Sequence, residues 1–338
     1  MIREALTKIV SGDDLSQIES SEVMKEIMEG DVTPSQLGAF LTALRIKGET
    51  IDEISGLVTT MRQMAVSVHT DSPEELLDVV GTGGDSSGSF NISTAAAIVA
   101  AGAGLKIAKH GNRAASSSSG SADVLESLGV KIELGPDSVT KCIEEAGIGF
   151  MFAPLFHPAM RHAGPTRREI GFRTIFNILG PLTNPAGAGH QLVGVPELSL
   201  VETIAHVLGE LGTKHSIVVH GDGGLDELSL SGPSLMIEYQ NGSLRKTEIT
   251  PQSLGLNPAN LDQIRIDSVS SSATIISNIL NGEPGPHRDI VVLNAGAALL
   301  AGDAVTNLQE GVQEAIKSID SSSARDHLEK LVKISNLE

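Results

Sequence analysis

Tryptophan is absent from this 338-residue chain, and tyrosine occurs once. With aromatics at 2%, there is little surface on which bases could stack, which removes the usual device of single-strand nucleic-acid binders. Basic residues are also scarce: 24 Lys and Arg stand against 42 Asp and Glu, a formal net charge of -18 that repels nucleic acid and anionic membranes. A single cysteine, Cys142, excludes a disulfide framework and points to a reducing compartment. It falls on an amphipathic helical stretch and reads as a buried thiol. No run approaches the ~20 apolar residues of a membrane span. The first residues, MIREALTKIVSGDDLS, carry acids where a secretory leader needs an unbroken apolar run. The expectation is a cytoplasmic protein with neither nucleic acid nor membrane as partner.

What is present is apolar content of 40% against 20% charged residues, enough to bury a core and to split into about two domains. Residues 1–70 read as helices only, with Thr33-Pro34 marking one start. From residue 75 to 338 the pattern becomes short β-branched runs alternating with longer helices, the signature of a mostly parallel sheet flanked by helices. The fold class expected is therefore α/β, a small N-terminal helical domain plus a larger domain. Strands are expected at 76–80, 105–108, 130–133, 149–152, 216–220 and 289–293. Residues 235–239 and 243–249, joined by Gln240-Asn241-Gly242, read as an antiparallel hairpin at one edge. The stretch 158–185 lapses into a helical pattern and is expected to join the N-terminal helices in space.

The same acidity means that any site for a phosphorylated ligand needs local positive features: helix N-termini, a few cations or a metal. Three loops offer them. Gly81-Thr82-Gly83-Gly84-Asp85 leaves a buried strand and leads to a helix starting near Asn91-Ile92-Ser93-Thr94. Residues without Cβ let backbone N–H groups approach a diphosphate, and the helix start adds its unpaired donors. The spacing fits neither the dinucleotide-binding GxGxxG pattern nor a Walker loop. Lys109-His110-Gly111-Asn112-Arg113 ends the next strand and runs into AASSSSGS, a small polar tract suited to a lid. Gly221-Asp222-Gly223-Gly224-Leu225-Asp226-Glu227 follows a later strand, and its adjacent carboxylates are hard ligands suited to Mg²⁺. The bland readings are a tight turn for the first and a basic surface turn for the second, with the functional reading favoured for both, whereas the third by itself reads equally well as a solvated acidic turn; together, at one edge of a parallel sheet, they read as one site. Arg167 and Arg168 lie in the helical stretch between the domains, where an arginine can hold a carboxylate through paired hydrogen bonds.

In order and spacing these segments resemble the anthranilate phosphoribosyltransferase family: GTGGD at 81–85, NIST at 91–94, KHGNR at 109–113, GSADVLE at 120–126, HPAM at 157–160, RTIFNILGPLTNP at 173–185 and DEL at 226–228. The resemblance covers nearly the whole chain. It implies transfer of the phosphoribosyl group of phosphoribosyl diphosphate (PRPP) to the amine of anthranilate, with Mg²⁺, in tryptophan biosynthesis, by a homodimer meeting through its helical domains. Carried over by motif, PRPP is expected at Gly81, Gly84, Asp85, Ser89, Asn91, Ile92, Ser93, Thr94, Lys109, His110, Gly111, Asn112, Arg113, Ala114, Ala115, Ser116, Ser117 and Ser121. Anthranilate is expected at Gly81, Asn112, Arg167 and Pro181, and the metal at Ser93, Asp226 and Glu227. His110 is a neighbour of the amine, but no general base is assigned, because an aryl amine is already neutral at pH 7. The chain departs from the family at Ser118, where many members carry Lys; altered affinity rather than lost activity is the expectation. Two alternatives share the scaffold: a pyrimidine nucleoside phosphorylase, and a non-catalytic relative that binds nucleic acid, which the charge opposes.

Overall fold

The structure, a computed structural model, describes residues 1–114 and 118–337. It begins with four helices, α1 (Ile2–Val10), α2 (Gln17–Glu29), α3 (Pro34–Lys47) and α4 (Ile51–Gln63). Three of their starts are written locally. Ser16 with Glu19, Thr33 with Gln36 and Thr50 with Glu53 form reciprocal capping boxes that satisfy otherwise unpaired backbone donors. Glu53 is also fully buried, and it accepts from the Leu15 and Thr50 amides and from the Lys47 ammonium at 3.1 Å. A buried charge needs that degree of compensation.

The chain then alternates. β1 (Leu77–Gly81), α5 (Ile92–Gly102), β2 (Ile107–Gly111), α6 (Ser121–Ser127), α7 (Pro136–Ala146) and β3 (Ile148–Phe152) build one half of a sheet. Three short helices follow, α8 (Ala153–Phe156), α9 (Gly164–Ile170) and α10 (Ile175–Leu179). The other half comprises β4 (His190–Gly194), α11 (Val201–Glu210), β5 (His215–His220), β6 (Ser234–Gln240) and β7 (Ser243–Ile249). Helices α12 (Val269–Leu280), α13 (Pro286–Ala301), α14 (Leu308–Asp320) and α15 (Ser323–Ser335) close the chain.

The seven strands lie in the order β3-β2-β1-β4-β5-β6-β7, parallel from β3 to β5 and antiparallel beyond. The α/β class and the N-terminal helical region expected from the sequence are both observed. Along the strands, side chains alternate between two cores, as a pleat requires. Val79, Leu192, Ile217 and Val219 face one that includes α5, α7, α13 and α15. Val80, Val193 and Val218 face another that includes α11, the N-terminal helices and Ile175, Phe176, Ile178 and Leu179 of α10. Helices α9 and α10 pack on α3 and α4. Cys142 is fully buried on α7. No helix among the described residues is long and apolar enough to cross a membrane.

Two of the expected strands are not strands. Residues 289–293 belong to α13, because Pro286 starts a helix there and every residue from Ile290 to Ala301 is buried. A helix buried on all sides has no polar face to reveal its period, so a short β-branched window imitates a strand. Residues 130–133 do alternate, with Val130 and Ile132 inward, but they pair with no strand in the sheet. Conversely, β4 was not expected. It opens on His190 and Gln191, both buried, whose side chains bond to the backbone carbonyls of Ala301 (2.7 Å) and Pro181 (3.1 Å). Those distant partners are invisible in a local pattern. The hairpin at β6 and β7 is as read, with Asn241 (φ 52°) and Gly242 (φ 78°) in the left-handed turn that Asn-Gly favours.

Candidate active site

From β1 the chain crosses to β2 and β3 on one side, whereas β4 and β5 lie on the other, so the order reverses between β1 and β4. At such a switch point the loops leaving the carboxyl ends diverge and open a crevice. The register places Gly81 beside Gly194, the last residues of the two strands. Neither has room for a side chain: a Cβ on Gly81 would strike the Asp226 carboxylate, and one on Gly194 would strike the Asp226 carbonyl. The loop after β5 thus lies directly on the ends of β1 and β4. Asn294 of α13 fixes it there, accepting from the Leu228 amide (2.8 Å) and donating to the Leu228 carbonyl (2.9 Å) from a fully buried position.

Asp226 in turn holds the glycine loop, accepting from the Gly83 amide at 2.8 Å. Thr82 starts that loop by donating its amide to the Gly194 carbonyl (2.9 Å), and Gly83 and Gly84 turn it with φ of 65° and 73°. From the other side, Arg173 donates to the Gly83 carbonyl and approaches the Thr82 carbonyl and hydroxyl at 3.5 and 3.4 Å. The sequence singled out Arg173 only as the start of a motif. Its place against the loop depends on a contact across 90 residues.

Asp85, Asp226 and Glu227 bring one carboxylate oxygen each within 4.8 Å of one another. Desolvation, followed by the charge of Asp85, raises the Asp226 pKa; desolvation, followed by the charges of Asp226 and Asp85, raises that of Glu227, while Lys109 opposes the shift. Asp85 Oδ2 and Glu227 Oε2 are buried without a hydrogen-bond partner among the described residues. Ser93, Asp226, Glu227 and Asn294 line a cavity of about 10 Å³, on the order of one water molecule. Crowded, unpaired hard oxygens beside a hydroxyl fit a small divalent cation such as Mg²⁺. Asn91 precedes α5, and its side chain joins the Ser119 carbonyl (3.1 Å), the Ser119 hydroxyl (2.7 Å) and the Ser272 hydroxyl (2.8 Å). This ties the start of α5 to the loop after β2. Ser89 receives the Ser87 hydroxyl at 3.1 Å, and Ile92 and Thr94 lie buried in the first turn of α5.

The loop after β2 is arranged differently from the open basic cradle that its composition suggests. Lys109 is 2% exposed, with its ammonium donating to the Val79 carbonyl beneath the sheet edge. Burial lowers its pKa to about 8, opposed by the charges of Asp78 and Glu227. Asp78, fully buried, is raised to about 6 by desolvation, against the pull of Lys109 and hydrogen bonds from Asn184 (2.7 Å) and the His110 amide (3.1 Å). The Asn of the TNP motif is therefore a clamp on Asp78. Arg113 is engaged by Asp123 (2.9 Å) and Glu126 (2.8 Å), so its charge is met by the helix that follows, α6. Asn112 is exposed; Ala114 donates its amide to Asp123, and Ser121 donates its hydroxyl to the Asn112 carbonyl at 3.3 Å. Gly111 has Ser121 and Phe150 where a Cβ would be. Ala115, Ser116 and Ser117 lie outside the described residues.

His110 is buried, 5.0 Å from the His157 ring between centroids, and neither Nε2 has a hydrogen-bond partner among the described residues. Burial lowers the two pKa values to about 3 and about 4. Arg167 lies 5.0 Å above the Phe176 ring, and burial lowers its pKa. Among the described residues no carboxylate pairs with it, unlike Arg45, Arg113, Arg245 and Arg288. Pro181, buried, ends the same segment and accepts from Gln191.

Comparison with known proteins matches this arrangement to a class. The model described as "Glycosyl transferase family, helical bundle domain" covers residues 3–65, and "Glycosyl transferase family, a/b domain" covers residues 73–325. The anthranilate phosphoribosyltransferase of Chloroflexus aggregans is 54% identical over 339 residues, which is 100% of this chain and 99% of the relative. That of Dehalococcoides mccartyi is 51% identical over 99% and 98%. Among solved structures, anthranilate phosphoribosyltransferase from Thermus thermophilus superposes with a TM-score of 0.92 at 43% identity, covering 98% of this chain and 99% of that one. The enzyme from Saccharomyces cerevisiae in complex with PRPP and Mg gives 0.90 at 28% identity, covering 100% and 98%. The fold is that of a two-part glycosyl transferase. The chain belongs to the anthranilate phosphoribosyltransferase family.

The buried histidines give a pH prediction. Both rings stay neutral in the fold while the unfolded chain takes up protons below about pH 6.5. Stability is therefore intact above that pH and falls as the pH drops from there toward the folded values, by up to about 1.4 kcal/mol per pH unit for each ring. Proton NMR of the imidazoles should show His110 and His157 untitrated between about pH 5.5 and 8; a midpoint near the ordinary value of about 6.5 for either contradicts the burial assigned to it.

Proposed function

We propose that this chain transfers the phosphoribosyl group of PRPP to the amine of anthranilate, giving N-(5-phosphoribosyl)anthranilate and diphosphate. The observation that carries this reading is the meeting, at one sheet edge, of a glycine loop, a helix start and a trio of crowded carboxylates with unpaired oxygens. Arg167, which pairs with no carboxylate among the described residues, stands in the neighbouring helical segment. Two units do the work, residues 1–70 with 158–185 packed against them and residues 75–338. The chain acts in the cytoplasm as a homodimer joined through the helical units; this rests on the family.

The reaction is displacement at the anomeric carbon of the ribose, the C–O bond to diphosphate breaking as the C–N bond forms. Charge grows on the leaving diphosphate, which makes its stabilisation the main catalytic task. Asp226 and Glu227, with Ser93 and Asp85 at hand, would hold Mg²⁺, which would supply countercharge for the diphosphate. The chain's own contribution is a set of fixed donors: the Gly84 and Asp85 amides of the glycine loop and the first turn of α5, with Ser89, the residues from Lys109 to Ala114 and Ser121 bordering the sugar and phosphates. Because Lys109 and Arg113 are already engaged, they shape this segment through Val79 and Asp123 and free their charges only if the loop rearranges. Arg167 pairs with the anthranilate carboxylate, and Gly81, Asn112 and Pro181 border the ring, which places the amine for attack.

The amine carries no proton that must be removed before attack. His110, held neutral with a pKa of about 3, is too weak a base to hold a proton at pH 7. The extra proton leaves after attack, to diphosphate or water. The nucleoside phosphorylase alternative needs only free phosphate and leaves the unpaired carboxylates without a task.

The direct test mixes protein, anthranilate, PRPP and Mg²⁺ and follows loss of anthranilate fluorescence. Turnover is the expected result; none, accompanied by phosphorolysis of thymidine or uridine, refutes the proposal. Asp226→Asn with Glu227→Gln should cut kcat/KM by about 10²-fold or more, because charge stabilisation at the leaving group is lost. Its fold should persist or gain stability, since two desolvated like charges are removed. Wild-type rates at limiting Mg²⁺ count against the metal assignment. Arg167→Ala should raise KM for anthranilate about 10- to 100-fold, the loss of one charge-assisted pair, with a smaller change for PRPP. An equal change in both constants argues that Arg167 supports the site as a whole.

A further inference from the structure

Three segments far apart in the chain are linked to the glycine loop. Arg173 lies between α9 and α10, in the segment that packs on the N-terminal helices. Its guanidinium donates to the Gly83 carbonyl and reaches Thr82, while its Nε lies 3.7 Å from Glu197, just beyond β4. Glu197 is gripped from its other side by Arg45 of α3, in a two-pronged pair at 3.1 and 3.1 Å. The chain of contacts therefore runs from the helical unit, through Glu197 and Arg173, to the backbone of the loop.

Gly83 is the point of convergence. Its N–H is taken by Asp226 and its C=O by Arg173, so the two successive peptide planes that it joins are each held by a side chain from elsewhere in the fold. The Gly84 amide belongs to the second of those planes, and its direction follows from where Arg173 draws the carbonyl. Gly84, at φ 73°, favours glycine by its backbone, and a Cβ there would meet the Arg173 guanidinium. A half-exposed ion pair such as Arg45 with Glu197 adds little stability by itself. Its effect is to restrict where Arg173 can point, and a displacement of about 1 Å in a loop that must meet a reacting group costs on the order of 10²-fold in rate.

We infer that Arg173 is a positioning residue for the diphosphate site: held by Glu197 and Arg45, it sets the glycine loop according to where the helical segment sits. The inference rests on the function proposed above for the identity of the ligand. It differs from a direct contact between Arg173 and phosphate, because its effect passes through the neutral backbone at Gly83 and depends on Glu197.

The two can be separated by steady-state kinetics on the full-length enzyme with Mg²⁺. Arg173→Gln should raise KM for PRPP roughly tenfold or more while changing KM for anthranilate much less. Glu197→Gln should move KM for PRPP in the same direction, and the double variant should be no worse than Arg173→Gln alone, as two links of one chain demand. Arg173→Lys, which keeps the charge but not the fork, should recover only part of the loss. If Arg173 touches phosphate directly, Glu197→Gln releases the guanidinium and leaves KM for PRPP unchanged or lower; that outcome, or additive effects in the double variant, overturns the inference. Amide hydrogen exchange on the unliganded proteins gives a readout independent of the substrate. Faster exchange at residues 82–86 in both single variants, with unchanged exchange in β5, supports the coupling, and wild-type exchange in both refutes it. Failure of the wild-type protein to consume anthranilate would instead strike the proposed function and leave the exchange result standing.

Discussion

Three carboxylates are crowded together, two of them shielded from water. Asp226 and Glu227 are desolvated, and the charge of Asp85 adds to the cost of ionising both. A fold gains nothing in stability from such a cluster, and well-packed apolar side chains at the same place would be more favourable. The surrounding structure is built to impose it. Gly81 and Gly194 give up their side chains so that Asp226 can lie on the strand ends, and Asn294, from α13 in the core, holds Leu228 by both backbone groups. On the proposed function, a divalent cation would relieve the imposed repulsion at the place where diphosphate leaves.

The same constraint explains the cations. In a chain of net charge -18, every Lys and Arg near the site would be expected to face the anion. Instead, Lys109 is sealed beneath β1 beside Asp78 and Glu227, and Arg113 is met by Asp123 and Glu126. They act as structural counter-ions for the buried acids and for the loop, which leaves backbone amides and the metal for the diphosphate in the proposed reaction. Preorganised backbone dipoles have the advantage that they need not reorganise as charge develops. Arg167 is the exception, a half-buried cation with an aromatic ring below it and, among the described residues, no acid opposite.

Both cores of the sheet bear on this site. The face carrying Val80, Val193 and Val218 is shared with the N-terminal helices and α10, so a shift of the helical region reaches the strand ends through packed side chains. Arg173, Glu197 and Arg45 add a polar route along the same seam. On the proposed function, substrate recognition is thereby divided: the sheet edge provides the diphosphate and metal groups, and the helical segment provides Arg167.

The sequence by itself determined the helical beginning, since its capping boxes are contained within four residues, and the edge hairpin, since Asn-Gly selects its own turn. It also marked three loops as candidates for the chemistry: glycines, paired acids and a Lys-His-Gly-Asn-Arg run are local signals, and the family resemblance joined them to a reaction. What it could not determine were the features made by partners far apart in the chain. Strand β4 was hidden because His190 and Gln191 find their hydrogen bonds at Ala301 and Pro181, and α13 imitated a strand because a helix buried all round shows no period. Only the tertiary structure decided that Lys109 points inward, that Asn184 clamps Asp78, and that Arg173 grips the glycine loop. The physical reason is common to all of these: a polar side chain is placed by the nearest unsatisfied group after folding, and that group is set by topology and register rather than by its neighbours in sequence.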